Sequence, residues 1–304
     1  MAAVPDNPPL GAVGAVGGWR DYLELTKPKV SLLIVFTAIV GMVLASPTLV
    51  SLPALIFGTL GIAMASGSAA AFNHVLDRHI DGEMARTRHR PLPTGHLVPG
   101  QAVLFASLLA VSSMAVLWIA VGGLTAVLTF SSLIGYTIVY TVWLKRTTPQ
   151  NIVIGGAAGA APPVLGWVAV THAIDPQALS LFLIIFIWTP PHFWSLAIAR
   201  RDEYAKAGIP MLPVTHGIPH TRSQIVLYTV LLIPCSLLPV LARMSGLIYL
   251  IAALALNARF LYLALALHRG LRPDLPLRTF RFSITYLMSL FAALILDHYV
   301  KIGL

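Results

Sequence analysis

The chain is 304 residues long, 57% hydrophobic and only 10% charged, with 20 Lys and Arg against 11 Asp and Glu. A soluble domain carries about a quarter charged residues, and a mean hydropathy of +0.83 excludes soluble and fibrous classes alike. The formal charge of +9 lies in short stretches between apolar runs, where it reads as a membrane-orientation signal and gives no reason to expect a nucleic-acid partner.

Residues 1–20 are rich in Ala, Gly, Pro and Val, with Asp6 the only charge before Arg20. They lack the basic n-region of a signal peptide and read as a disordered tail ahead of one transmembrane domain, residues 21–304. Val30 to Asn73 and Leu97 to Leu144 contain no Asp, Glu, Lys, Arg or His. Each is long enough for two helical crossings of about 20 residues. Apolar runs bounded by Pro, Gly and charge predict an all-α, polytopic membrane protein of nine helices. They fall over 30–47, 53–74, 100–120, 123–144, 152–171, 178–200, 223–242, 245–267 and 281–300. Turn signals separate them at Ser46-Pro47, Gly122-Gly123, Asp175-Pro176 and Ser245-Gly246. The connections after helices two, four, six and eight carry nearly all the Lys and Arg, and Arg20, Lys27 and Lys29 fall on the same side. Excess Lys and Arg mark the cytoplasmic face, so the N-terminus is expected inside and the C-terminus outside. The single cysteine, Cys235, lies in an apolar run with no CxxC pattern and reads as a packing residue.

Two cytoplasmic connections are richer than topology requires. In the first, Asn73, Asp77 and Asp81 are spaced i, i+4, i+8. On a helix these share one face and form a column about 12 Å long where helix two leaves the membrane. Hard oxygens so arranged suit Mg²⁺, which takes one or two carboxylates and fills its shell with water and phosphate oxygens. Arg86, Arg88 and Arg90 follow and supply phosphate-binding forks. Arginines alone would read as a solvated, topology-setting loop; beside the column they read as a site for a metal-bridged diphosphate. The second connection, Arg200 to Pro213, carries Asp202 and Glu203, with Lys206 on the face of Asp202. It offers a second acidic site, with Asp202 as a metal ligand, or a helix-end salt-bridge cluster.

These motifs, one after the second helix and one after the sixth, resemble the UbiA superfamily of intramembrane prenyltransferases. Arg86-Thr87-Arg88-His89-Arg90-Pro91-Leu92-Pro93, Lys145 to Pro163, Thr189-Pro190-Pro191-His192-Phe193-Trp194 and Tyr204 to Val214 narrow the resemblance to the haem O synthases (protohaem IX farnesyltransferases). It covers roughly residues 20–300. Lys206 stands where quinone-type members carry a second Asp-x-x-x-Asp carboxylate, and His79 stands where many relatives have an acidic residue.

The resemblance implies transfer of the farnesyl group of farnesyl diphosphate to a vinyl group of haem B, with a hydroxyl from water, giving haem O. It implies Mg²⁺ on Asn73, Asp77, Asp81 and Asp202. Glu203 and Lys206 complete the catalytic set, and Arg86, Arg88, Arg90, Lys145 and Asn151 bind substrate. Tyr136, Tyr140, Phe193 and Trp194 are expected to shield an allylic cation. His192, in an apolar helix, is expected to ligate the haem or orient the attacking water, while His172 sits near the outer face. The resemblance also implies the bacterial cytoplasmic (inner) membrane, a periplasmic C-terminus, and haem A synthase or oxidase assembly proteins as partners. Prenylation of an aromatic quinone precursor is the rival within enzymes. A transporter is the rival outside them, but transporters place ionisable groups near the bilayer midplane, where only Arg259 and His192 stand.

Overall fold

The computed structural model describes residues 17–300. In lipid no water satisfies a bare backbone N–H or C=O, so apolar runs of this length fold as helices. Among the described residues nine helices are long and apolar enough to cross a membrane, and none of those residues forms a strand. The chain is therefore a multi-pass, all-α membrane protein, as expected. Of the tail expected over 1–20, residues 1–16 lie outside the described residues; a short helix, α1 (Trp19–Leu25), begins within the remainder.

The first three crossings are α2 (Pro28–Ala45), α3 (Leu52–Glu83) and α4 (Pro99–Ala120). The fourth combines α5 (Gly123–Ile134), a π-helical stretch (Gly135–Leu144) and α6 (Lys145–Thr147). The fifth is α7 (Asn151–Ala160) and α8 (Pro162–Thr171), and the sixth is α9 (Pro176–Ala199). Two short helices, α10 (Arg201–Lys206) and α11 (Leu212–Thr215), precede α12 (Gly217–Leu241), α13 (Leu247–Arg269) and α14 (Leu275–Val300).

Several bounds differ from those read in the sequence. Helix α3 continues past residue 74 to Glu83, carrying the Asn73–Asp81 column as uninterrupted helix. Helices α12 and α14 begin at Gly217 and Leu275, not at 223 and 281, because polar first turns continue an apolar helix without changing its backbone. The fifth crossing breaks at Ala161, where Pro162 and Pro163 lack the N–H groups that would bond the preceding turn.

Without a hydrophobic force between helices in lipid, close backbone approach and hydrogen bonds hold them together. Helices α2 and α8 meet backbone to backbone. A Cβ on Gly41 would lie 2.1 Å from the Pro163 carbonyl oxygen, and one on Gly166 would lie 1.9 Å from that of Ala38. Backbone cannot rotate away as a side chain can. Gly166→Leu is therefore expected to cost the upper end of about 1–3 kcal/mol of overpacking or more, read as loss of the folded fraction after detergent extraction. Two serines join α3 to α4: Ser113 Oγ donates to the Gly61 carbonyl at 2.6 Å and Ser68 Oγ to that of Ala106 at 2.8 Å. Among α12, α13 and α14, Tyr286 donates to Asn257 Oδ1 at 2.8 Å and Asn257 Nδ2 to Ser236 Oγ at 2.8 Å. At the opposite end from the column, buried Asp297 accepts from the Gly246 and Tyr249 N–H groups and caps the start of α13.

Crossings one, two, four, five and six, with Leu287 of α14, line a cavity of about 340 Å³.

Candidate active site

Asn73, Asp77 and Asp81 lie on one buried face of α3, at 4%, 1% and 5% exposure. The i, i+4, i+8 column of the sequence is thus a real row, and its oxygens are gripped by cations from four directions. Lys27 Nζ donates to Asn73 Oδ1 at 2.6 Å. Asn73 Nδ2 donates to Asp77 Oδ2 at 2.8 Å and to Thr141 Oγ1 at 3.2 Å. Lys145 reaches Asp77 Oδ2 at 2.5 Å, and Arg146 approaches Oδ1 at 3.9 Å. Arg90 pairs with Asp81 Oδ2 at 2.6 Å. Thr87 Oγ1 donates to the Asp81 carbonyl at 2.9 Å and folds the Arg86–Arg90 loop back over the helix end.

Three cations therefore converge on two carboxylates, and a fourth, Lys27, holds the adjoining amide. The excess shows in Lys27, whose ammonium is pulled down to about 7, first by burial and then by repulsion from Arg90 and Lys145. An incoming polyanion would relieve that repulsion.

The π-helical stretch is the part of the site with no signal in the sequence. Thr141 Oγ1 donates to the Tyr136 carbonyl, five residues back, at 2.9 Å, and π segments concentrate at functional sites. This stretch puts Thr141 on Asn73, delivers Lys145 to Asp77, and turns Tyr136 and Tyr140 into the cavity wall. The two tyrosine rings stack at 5.4 Å. Gly155 makes room for them, since a Cβ there would lie 2.2 Å from Tyr140 Cδ2. Gly155→Ala is expected to displace the Tyr140 ring and cut turnover several-fold with the fold retained, measured as kcat beside a detergent-stability control.

Column and cavity are one site. Lys27 bonds Asn73 and lines the cavity. Along α3 the cavity runs inward from Ala70 and Ala69 to Ile62, about 12 Å at the helical rise. Its walls are mostly apolar, with Trp188, Thr189, His192 and Phe193 from α9.

The remaining expected residues divide. Asn151 is fully buried; it donates to the Lys145 carbonyl at 3.5 Å, and its Oδ1 has no partner among the described residues. Arg86 and Arg88 are exposed on the loop above the column. The carboxylate of Asp202 is not joined to the column: it is 87% exposed and pairs with Arg201 at 3.5 Å. Glu203 pairs with Arg200 at 2.5 Å, and Lys206 is exposed. The cause is helical geometry. Helix α10 buries Tyr204, so residues two positions away on either side face solvent. The second motif thus brings an aromatic ring toward the site. Tyr204 lies 6.4 Å from Phe193, and burial pushes its phenol up against the pull of nearby Arg86. Trp194, expected in the cavity, is instead buried in the core against Tyr228 at 5.3 Å; Trp188 takes the cavity position. Lys27, Thr141, Tyr204 and Trp188 were not singled out from the sequence.

An apolar chamber within a membrane bundle, closed at one end by buried carboxylates and surplus cations, defines a membrane-embedded enzyme for an amphiphile with an anionic head. The chain belongs to the UbiA prenyltransferase family, whose profile matches residues 34–291. It is 59% identical over 286 residues to the protoheme IX farnesyltransferase of Alkalilimnicola ehrlichii, covering 94% of this chain and 95% of that one. It is 57% identical over 287 residues to the protein of the same name from Stutzerimonas stutzeri, covering 94% and 96%. Among solved structures it is similar to one described for digeranylgeranylglyceryl phosphate synthase, at TM-score 0.77 and 18% identity over 92% of this chain and 98% of that one. It is also similar to a UbiA homolog from Archaeoglobus fulgidus bound to DMAPP and Mg²⁺, at TM-score 0.63 and 18% identity over 90% and 99%. These structural likenesses concern the fold.

Proposed function

We propose that this protein transfers the farnesyl group of farnesyl diphosphate to a vinyl group of haem B, adding a hydroxyl from water to give haem O. Kinship supplies the substrates. The observation that carries the reading is Lys27, which joins a cation-rich acidic column to an apolar chamber, so that a diphosphate at the column lays its prenyl tail into the chamber.

Asn73, Asp77 and Asp81 fit Mg²⁺: they are hard oxygen donors on one face, and Asp77 Oδ1 is buried without a hydrogen-bond partner among the described residues. An ion held there would neutralise diphosphate charge and improve it as a leaving group. Lys27, Lys145 and Arg90 attract the charge that grows on the departing diphosphate, and Arg86 and Arg88 stand above it on the loop. Tyr136, Tyr140 and Phe193 line the chamber and offer π systems to the allylic carbon as it becomes cationic. The apolar walls keep water from that carbon until the haem vinyl group attacks it. Water then adds to the haem-side cation and loses a proton. Asp202, Glu203 and Lys206 stand at the outer edge of this arrangement.

Bacterial relatives support a place in the cytoplasmic membrane, and the basic connections support an N-terminus inside and a periplasmic C-terminus. Partners implied by this place in haem biosynthesis are haem A synthase or oxidase assembly proteins. A substrate panel tests the reading against its rival. With farnesyl diphosphate and Mg²⁺, membranes containing the chain should convert haem B to haem O and leave 4-hydroxybenzoate unprenylated. The reverse pattern would sink it.

A further inference from the structure

His192 lines the chamber, yet its surroundings are more specific than packing requires. Its ring lies between Trp188 at 4.2 Å and 17° and Phe280 at 4.7 Å and 29°. Two stacked partners leave the imidazole little freedom to turn. Its Nδ1 lies 2.6 Å from Ser283 Oγ on α14. That hydroxyl donates its one proton to the Phe280 carbonyl at 2.6 Å. A hydroxyl has a single proton, so toward His192 Ser283 can only accept. With the Ser283 proton assigned to the Phe280 carbonyl, the hydrogen of the His192 contact falls on Nδ1 and Nε2 keeps its lone pair. Trp188 Nε1 donates to the Ser283 carbonyl at 2.8 Å and ties the same residue to α9 from a second direction. No hydrogen bond from Nε2 to any described residue is present. A buried packing histidine has its polar atoms satisfied; this one is satisfied on one side and open on the other.

We propose that Ser283 is a positioning residue that fixes His192 as the Nδ1–H tautomer, so that Nε2 enters the chamber as the axial ligand of the haem B iron. Hydrogen bonds from the second ring nitrogen orient metal-bound histidines in this way. The inference rests on haem B as substrate and deepens it. It assigns the macrocycle to the α9–α14 side of the chamber, across from the column on α3.

Haem B titration of the purified full-length protein, followed in the Soret region, tests it. The wild type should give a saturable, histidine-ligated spectrum. His192→Gly should lose that spectrum, and added imidazole should restore it. Ser283→Ala should weaken haem affinity by about 10–100-fold, the range seen when such outer partners are removed. It should lower kcat for haem O formation and leave KM for farnesyl diphosphate unchanged. Ser283→Thr, which keeps the hydroxyl, should recover both. Ser283→Cys, a weaker acceptor, is read in parallel to the same two outcomes should the alanine protein not accumulate. A wild-type spectrum, affinity and rate in Ser283→Ala or Ser283→Cys would overturn the positioning role. An unchanged spectrum in His192→Gly would overturn the ligand assignment. Haem O formation by the wild type, measured in the same preparation, tests the functional reading separately.

Discussion

Asp77→Asn and Asp81→Asn are each expected to lower haem O formation by about a thousandfold, the upper range for deleting one preorganised charge at a reacting centre. Both substitutions keep side-chain volume and remove the negative charge. Asp77 loses the most, because it is the most buried of the three and bears on Lys145, Arg146 and Asn73 together. Removing its charge also leaves Lys145, at 15% side-chain exposure, without its carboxylate. Stripping one partner from a buried pair costs about 3–5 kcal/mol, reduced here by the solvent that reaches the mouth. The loss of activity must therefore be read on protein shown to be folded by its thermal transition. Asp202→Asn supplies the contrast. Its carboxylate is 87% exposed and pairs only with Arg201, so the rate should change by no more than about twofold, in line with surface substitutions generally. Equal losses at Asp77 and Asp202 would show that the second acidic motif closes onto the first during turnover.

Gly159→Phe should abolish turnover by a different route. Gly159 lines the chamber, and a Cβ built on it meets no atom within 4 Å. The new Cβ therefore meets no neighbour at the chamber wall, and replacing Gly within helix α7 favours the helix slightly. A ring turned into the cavity of about 340 Å³ that Gly159 lines would take volume that a prenyl chain needs. Turnover should fall by at least about a hundredfold, some 2.7 kcal/mol of lost transition-state stabilisation, while the thermal transition stays at or above that of the wild type. A fully active Gly159→Phe protein would place the prenyl chain elsewhere.

The column was legible because a helix repeats its face every three to four residues, and Asn73, Asp77 and Asp81 keep that spacing. The nine crossings were legible because hydrocarbon forces apolar runs into helices. The fate of Asp202 was not. Which face of α10 turns inward depends on the tertiary burial of Tyr204, and Asp202 and Tyr204 cannot both face the protein. Lys27 was hidden among residues that set topology, since Lys27 and Lys29 are alike in sequence and only the fold turns one of them onto Asn73. The π-helical stretch was hidden for a simpler reason: its residues are as apolar as those of any crossing, and only the long bonding pattern shifts Thr141 and Lys145 onto the column. Ser283 lies 91 residues from His192, a pairing that packing of α9 on α14 creates and no local pattern records.

The most direct measurement follows both products at once in purified protein: diphosphate released and haem O formed from haem B and farnesyl diphosphate. The expected result is one diphosphate for each haem O, with both lost on adding EDTA and both restored by Mg²⁺. Haem O formation unaffected by EDTA, or diphosphate release that proceeds equally without haem B, would contradict a metal-bridged diphosphate at the Asn73–Asp81 column feeding the chamber.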